Sequence, residues 1–326
     1  MPRHCQCLPR RRLLGGLLLA LALTACGQQD APQQPAAEAT PQPPRIALVM
    51  KSLANEFFTN MADGARAHQA ANPGSYELIV NGIRNESDLA QQVALVEQMM
   101  ATGVDAIVIA PADSRGLLPV ARRAVAQGIV VVNIDNRFDR ELVADMGVDI
   151  PFVGPDNREG ARKVGEVLAA ALAPGDQVAI IGGIPGAFNA QQRQAGFEDA
   201  MRSAGIEVVS IQSADWEQAR AASVASAILG ENPDLKALLC ANDSMALGAV
   251  AAVRQAGRAD QVLVVGFDNI SAANTLVQSG EMLATADQYG DQLAVFGIEY
   301  ALEILATGQA PQDRNTPVDV VVSSAH

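Results

Sequence analysis

From residue 45 onward the sequence alternates between two kinds of segment, and this alternation limits the fold more than any other feature. "RIALVM" (45–50), "DAIVIAP" (105–111), "IVVVNID" (129–135), "QVAIIGG" (177–183), "LKALLCAND" (235–243) and "QVLVVGFD" (261–268) are short, nearly continuous apolar runs. "YELIVNG" (76–82), "IEVVSIQSA" (206–214) and "LATADQ" (283–288) are more mixed runs of the same length class. Stretches with helical period lie between them. In "ESDLAQQVALVEQMMATG" (86–103), Leu89, Val93, Val96 and Met100 share one face and Gly103 ends the helix. Similar periods run to about residue 71 and over 117–128, 159–175, 190–205, 217–233, 244–257 and 290–308. A strand that is apolar along its length has no solvent face, so these strands belong in parallel sheets covered by helices on both sides. The pattern pauses after residue 135 and restarts at 159, which gives two α/β halves of similar size.

The first 44 residues do not follow this pattern. Arg3, Arg10, Arg11 and Arg12 precede the apolar segment "LLGGLLLALAL" (13–23). Eleven residues are too few to span a hydrocarbon layer, which needs roughly 20 in a helix, so the segment reads as an export signal over residues 1–25. The paired arginines also suggest a twin-arginine route. "LTACG" (23–27) resembles a bacterial lipobox, with Cys26 as the lipidated residue. Gly27 in place of Asp implies, by that resemblance, outer-membrane sorting in a Gram-negative cell. "GQQDAPQQPAAEATPQPP" (27–44) is too polar and proline-rich to build a core, so 26–44 is expected to be a lipidated cysteine and a disordered tether. Cys5 and Cys7 leave with the signal, so Cys240, in the apolar run "ALLCA", has no partner and no disulfide is expected.

Composition then narrows the function. The formal charge is -13, and losing the four leader arginines takes it to -17. No basic cluster occurs beyond residue 12, so a nucleic-acid partner is not expected. Membrane contact is expected only through the lipid anchor. There is no G-x-S-x-G, no Walker A, no G-x-G-x-x-G after the first strand and no metal-spaced histidine cluster. His4 lies in the leader, His68 on a helix, and His326 is the last residue. Asp135 and Asp268 could act as acid and base, but nothing else supports catalysis. We therefore expect no enzyme, no cofactor and no metal.

Ligands of open α/β sheets bind beyond the carboxyl ends of the strands, so the residues there carry the functional reading. They are Lys51, Asn55, Phe57 and Phe58; Asp135, Asn136 and Arg137; Gln191 and Arg193; Asp215 and Trp216; Asn242 and Asp243; Phe267 and Asp268; and Gln288. Asp243 opens a helix and reads as its cap. The others combine flat rings with forked polar groups. A pyranose has apolar C–H faces and a belt of hydroxyls that each donate and accept, and this set of residues matches both features.

The motifs "IALVMKSLANEFF", "IVVVNID", "VGPDN", "QSADWEQAR", "CANDSMALGA" and "VVGFDNI" occur in the order and spacing of a known family. Over residues 45 to about 322 the chain resembles the ribose- and allose-binding branch of type I periplasmic sugar-binding proteins, the soluble receptors of ABC importers. The resemblance implies a periplasmic binding protein type I fold: two doubly wound parallel-sheet lobes joined by three hinge crossings, near 155, 288 and 319. The lobes would be 45–155 plus 289–319, and 156–288 plus 320–326. It implies a monosaccharide in the interlobe cleft, bound by Lys51, Asn55, Phe57, Phe58, Asp135, Asn136, Gln191, Trp216, Asn242, Phe267, Asp268 and Gln288, with Arg193 as a further candidate. The implied location is the periplasm or cell envelope, lipid-anchored to the membrane. The implied partner is an ABC permease of the inner membrane; a chemoreceptor or sensor is the alternative. Repressors that share the fold carry an N-terminal DNA-binding helix pair, where this chain has a signal and tether. Ribose receptors carry a small hydroxyl residue at position 51 and Arg at 136 and 191. Lys51, "NID" and "ADW" resemble the allose group, and Phe267 the ribose group. The replacements Asn136 and Gln191 enlarge the expected pocket, and Lys51 adds donors, so a hexose such as allose is expected over ribose.

Overall fold

The computed structural model describes residues 42–323. The expected signal, Cys26 and most of the tether lie outside these residues. The strands form two six-stranded sheets. The first contains β1 (Arg45–Ser52), β2 (Glu77–Ile83), β3 (Ala106–Ile109), β4 (Val130–Ile134), β5 (Phe152–Pro155) and β11 (Arg314–Thr316). Its order is β11-β5-β4-β3-β1-β2, parallel throughout. The second contains β6 (Gln177–Gly182), β7 (Glu207–Ser213), β8 (Leu235–Cys240), β9 (Leu263–Val265), β10 (Ala284–Asp287) and β12 (Asp319–Val322), in the order β12-β10-β9-β8-β6-β7. Here β12 runs antiparallel to β10. Each sheet reverses its winding beside its first strand, β1 or β6, and that reversal leaves a crevice at the carboxyl ends.

The helices are α1 (Glu56–Ala71), α2 (Leu89–Ala101), α3 (Leu118–Ala126), α4 (Arg140–Asp145), α5 (Asn157–Ala170), α6 (Phe188–Ala204), α7 (Gln218–Glu231), α8 (Asp243–Gln255), α9 (Ser271–Gln278) and α10 (Gly290–Thr307). They cover both faces of each sheet, so continuous apolar strands are required. On β1, Ile46, Leu48 and Met50 join the cluster of Met61 and Ala65 from α1 and Leu293 and Ile298 from α10. The alternate residues Ala47 and Val49 join Val96 and Met99 of α2 and Leu118 and Ala121 of α3. At about 25 cal/mol per Å² of apolar surface, burial on both faces makes these strands the strongest contributors to the core. Cys240 is buried at the end of β8 with a free thiol. Among the described residues, no helix is long and apolar enough to cross a membrane.

The chain passes between the sheets three times: after β5, between β10 and β11, and between β11 and β12. Five elements are additional to the sequence reading. α4 buries no residue, so it has no apolar face to detect. β5, β11 and β12 are only three or four residues long. α9 starts from Ile270 with no side-chain cap, so the usual capping signal is missing.

Candidate binding site

Twelve side chains from both halves of the chain line one cleft at the carboxyl ends of the strands: Lys51, Asn55, Phe57, Phe58, Glu86, Asp135, Asn189, Arg193, Trp216, Asn242, Asp268 and Gln288. The space between them, counting the open solvent at its mouth, is about 240 Å³.

Local backbone geometry aims these groups. Asn55 caps α1 by accepting from Phe57 N at 3.1 Å, and its Nδ2 donates to Glu86 Oε1 at 2.9 Å. The cap fixes the entry into the helix, so the next two residues, Phe57 and Phe58, form an edge-to-face pair with centroids 5.1 Å apart. Asn242, rather than Asp243, caps α8: its Oδ1 accepts from Met245 N at 2.9 Å. Asp243 instead ties two loops together, accepting from Thr285 Oγ1 at 2.7 Å and Ile270 N at 3.0 Å. All six non-glycine residues with positive φ among the described residues follow a strand: Asp135 after β4, Asp215 and Trp216 after β7, Asp268 and Asn269 after β9, and Tyr289 after β10. Such conformations cost about 1–3 kcal/mol each and concentrate at functional sites. Three of the six, Asp135, Trp216 and Asp268, line the cleft.

The charges are arranged in two buried pairs. Lys51 Nζ lies 3.1 Å from Asp135 Oδ2 as an ion pair. Arg193 donates to Asn157 Oδ1 at 2.7 Å, Ala241 O at 2.9 Å and Asp268 Oδ1 at 3.3 Å. Asp268 Oδ1 also accepts from Gln288 Nε2 at 2.6 Å. Burial drives the Asp268 carboxyl well above the usual carboxylate range, although Arg193 pulls it down. Burial also pushes Glu86 up to about 7, against the opposing pull of Lys51. Trp216 is 4% exposed, with Lys51 Nζ and Arg193 Cζ each 5.7 Å from its ring. Ring faces, forked acceptors and two cations therefore surround one small space.

Six buried side-chain polar atoms among the described residues lack a hydrogen-bond partner. Five belong to cleft residues: Glu86 Oε2, Asp135 Oδ2, Asn189 Oδ1, Trp216 Nε1 and Gln288 Oε1. Leaving a buried polar group unpaired costs about 1–3 kcal/mol; Asp135 Oδ2 is offset by its ion pair with Lys51, and the other four atoms in one place mark a surface built for a polar guest. Four of the five are acceptors, which calls for a guest rich in donors.

Three of the sequence candidates do not line the cleft. Gln191 is exposed and donates to Pro185 O at 2.8 Å. On α6, residues 189 and 193 are one turn apart and share the inward face, and 191 projects elsewhere. Asn136 is buried within the first half, donating to Pro111 O at 2.9 Å and accepting from Ser114 Oγ at 3.3 Å and Asn189 N at 3.2 Å. Phe267 lies behind the cleft, with the Arg193 guanidinium 3.8 Å over its ring. Of the other strand-end residues, Arg137 pairs with Asp313, and Asp215 bonds Ser213 and Arg220. Two cleft residues, Glu86 and Asn189, are not among the sequence candidates. Glu86 follows β2, a strand end the sequence reading passed over, and Asn189 precedes the expected start of α6.

Residues 46–310 match the periplasmic binding protein domain family. The D-ribose/D-allose-binding protein of Pseudomonas aeruginosa is 55% identical over 312 residues, 94% of this chain and 97% of that protein. An ABC transporter solute-binding protein from Burkholderia multivorans, whose unidentified ligand is represented as α-D-erythrofuranose, is 54% identical with a TM-score of 0.84, covering 86% of this chain and 99% of that one. A periplasmic solute-binding protein of an Actinobacillus succinogenes ABC transporter, with bound D-allose, is 38% identical with a TM-score of 0.81, covering 86% and 97%. These relatives are binding proteins, not enzymes. With two mostly parallel sheets and interleaved helices, the chain belongs to the periplasmic binding protein family and has its type I fold.

Proposed function

We propose that this chain is the substrate-binding lipoprotein of an ABC importer, and that it captures a neutral monosaccharide by hinge closure of two lobes, 45–155 plus 289–319 and 156–288 plus 320–326. The observation that carries the reading is the group of orphaned polar atoms in an aromatic-walled cleft. Sugar hydroxyls satisfy orphaned acceptors as donors and Trp216 Nε1 or Lys51 as acceptors, and the rings of Phe57, Phe58 and Trp216 cover the C–H faces. The paired cations and carboxylates leave no uncompensated positive charge for an anionic ligand. Names of relatives support the class: one relative is named for D-ribose and D-allose, and another holds D-allose.

A hexose such as allose is favoured over ribose. The reason differs from the one expected from sequence, because Asn136 and Gln191 do not line the cleft. Glu86 and Asn189 instead contribute two acceptors without hydrogen-bond partners beyond those of Asp135 and Gln288, and a hexopyranose carries one more hydroxyl than a pentopyranose, on its exocyclic carbon, to meet them. Cys26 supplies the envelope anchor, and the permease is the downstream partner. A thermal-shift screen of pentoses, hexoses, ketoses and polyols tests the class. A sugar at 100 times its dissociation constant adds about 2.7 kcal/mol, a rise of several degrees. Silence across all neutral sugars would refute the reading.

A further inference from the structure

Three helices of the second half, α6, α7 and α9, begin without a side-chain cap bond of their own, and two of them, α6 and α9, follow a residue that has no side-chain oxygen. α6 starts from Ala187 and α9 from Ile270, and neither residue has a side-chain oxygen to bond the first-turn N–H groups. Both ends are nevertheless capped, and the caps come from the first half of the chain. Phe188 N donates to Ser114 Oγ at 2.9 Å and Asn189 N to Asn136 Oδ1 at 3.2 Å. Ser271 N donates to Glu56 Oε1 at 2.8 Å. The acceptors are held in place by their own half: Ser114 Oγ also donates to Asn136 Oδ1, and Asn136 Nδ2 is fixed on Pro111 O. A missing cap weakens a helix end, and a carboxylate at a helix N-terminus is stabilising.

We infer that Ser114, Asn136 and Glu56 are closure latches that cap α6 and α9 in trans, so that these helix ends are satisfied by protein only while the two lobes are together. This rests on the sugar-binding reading above and adds positioning residues that do not line the cleft. The α6 latch is joined to the site through its first turn, because Asn189 turns its backbone N–H to Asn136 and its orphaned Oδ1 belongs to the cleft. A guest that engages Asn189 therefore favours the arrangement in which α6 is capped. Latches formed after encounter set the rate of reopening and leave the rate of capture alone.

The test uses Glu56→Ala, Ser114→Ala and the double variant. Loss of the exposed carboxylate cap raises the D-allose dissociation rate about 2- to 5-fold. Loss of the neutral Ser114 bond raises it about 2- to 10-fold. The two sites share no partner, so the double variant multiplies the effects to about 4- to 50-fold. Association rates stay within about twofold of wild type, and Ser114→Thr, which keeps the hydroxyl, restores slow release. Dissociation unchanged in the double variant, or a loss confined to association, overturns the latch. A second readout needs no sugar. Trp216 is the single tryptophan and is buried in the cleft, so acrylamide quenching of sugar-free protein reports opening. Stronger quenching in the double variant supports the latch, and equal or weaker quenching overturns it. If wild-type protein binds neither D-allose nor D-ribose, the sugar reading fails while the quenching comparison still decides the latch.

Discussion

Gly183 follows β6 and touches no guest, yet the structure makes it a determinant of affinity. A Cβ at this position would fall well inside 3.0 Å of Cζ2, Cε2 and Cη2 of Trp216. The backbone there is not left-handed, so Gly183→Ala is strained by the ring alone. The indole lies directly against the glycine and must retreat until contacts return to the 3.4–4 Å of ordinary packing. The added Cβ blocks the glycine side, so the ring moves toward the cleft that it lines. Overpacking costs about 1–3 kcal/mol. If that cost falls on the guest's place, the dissociation constant rises roughly 5- to 150-fold. The neighbouring glycine is the control: a Cβ at Gly182 would meet only Gln212 O, at 3.8 Å, so Gly182→Ala should bind within about twofold of wild type. Calorimetric titration of both variants with the preferred sugar decides it, and melting temperatures check that each is folded. Gly183→Ala binding as tightly as Gly182→Ala would refute the placement of Trp216 as a wall of the site.

Asp268→Ala removes the acceptor shared by Arg193 and Gln288; losing a charged hydrogen bond of about 1.5–3 kcal/mol should weaken sugar binding roughly 10- to 150-fold, and wild-type affinity in that variant would count against the site. Cys26→Ser should move the protein from the detergent phase to the aqueous phase in its host, and equal partitioning of both forms would remove the lipid anchor from the account. Asp243 is buried away from the cleft, and burial holds its carboxyl up at about 6, against an ordinary 3.8. A carboxyl raised in the folded state contributes stability below pH 4 and loses it as pH rises through 6, so between pH 4 and 7 wild type should lose stability relative to Asp243→Asn in denaturant unfolding; parallel pH profiles would show that burial does not perturb this group.

The sequence was most legible where burial is two-sided. β1 and β6 could be read because both faces of their central residues, Ile46–Met50 and Val178–Ile181, are covered and must be apolar, and the winding of the sheets follows from strands of that kind alternating with helices. The strand-end rule found ten of the twelve cleft residues, because a parallel sheet puts its loops at one end whatever the side chains are. It failed where helix phase matters. Gln191 and Arg193 are two residues apart and cannot both face inward, and only the true start of α6 at Phe188 shows that Asn189 and Arg193 form the inward pair. Asn136 was misplaced for a different reason: its side chain is taken by Pro111, Ser114 and the α6 backbone, long-range bonds that have no local signature. Glu86 opens a stretch of helical period in the sequence, but its role comes from Asn55, 31 positions away. The trans caps on α6 and α9 left only an absence in the sequence, Ala187 and Ile270 where a polar cap is usual.

The central claim is that this cleft holds a neutral monosaccharide and prefers a hexose. Calorimetric titration of purified protein with D-allose and D-ribose tests it most directly. Saturable one-to-one binding of D-allose is expected, tighter than D-ribose, with the preference reduced in Glu86→Gln. Ribose binding more tightly than every hexose would contradict the preference, and no saturable heat with any neutral sugar would contradict the claim itself.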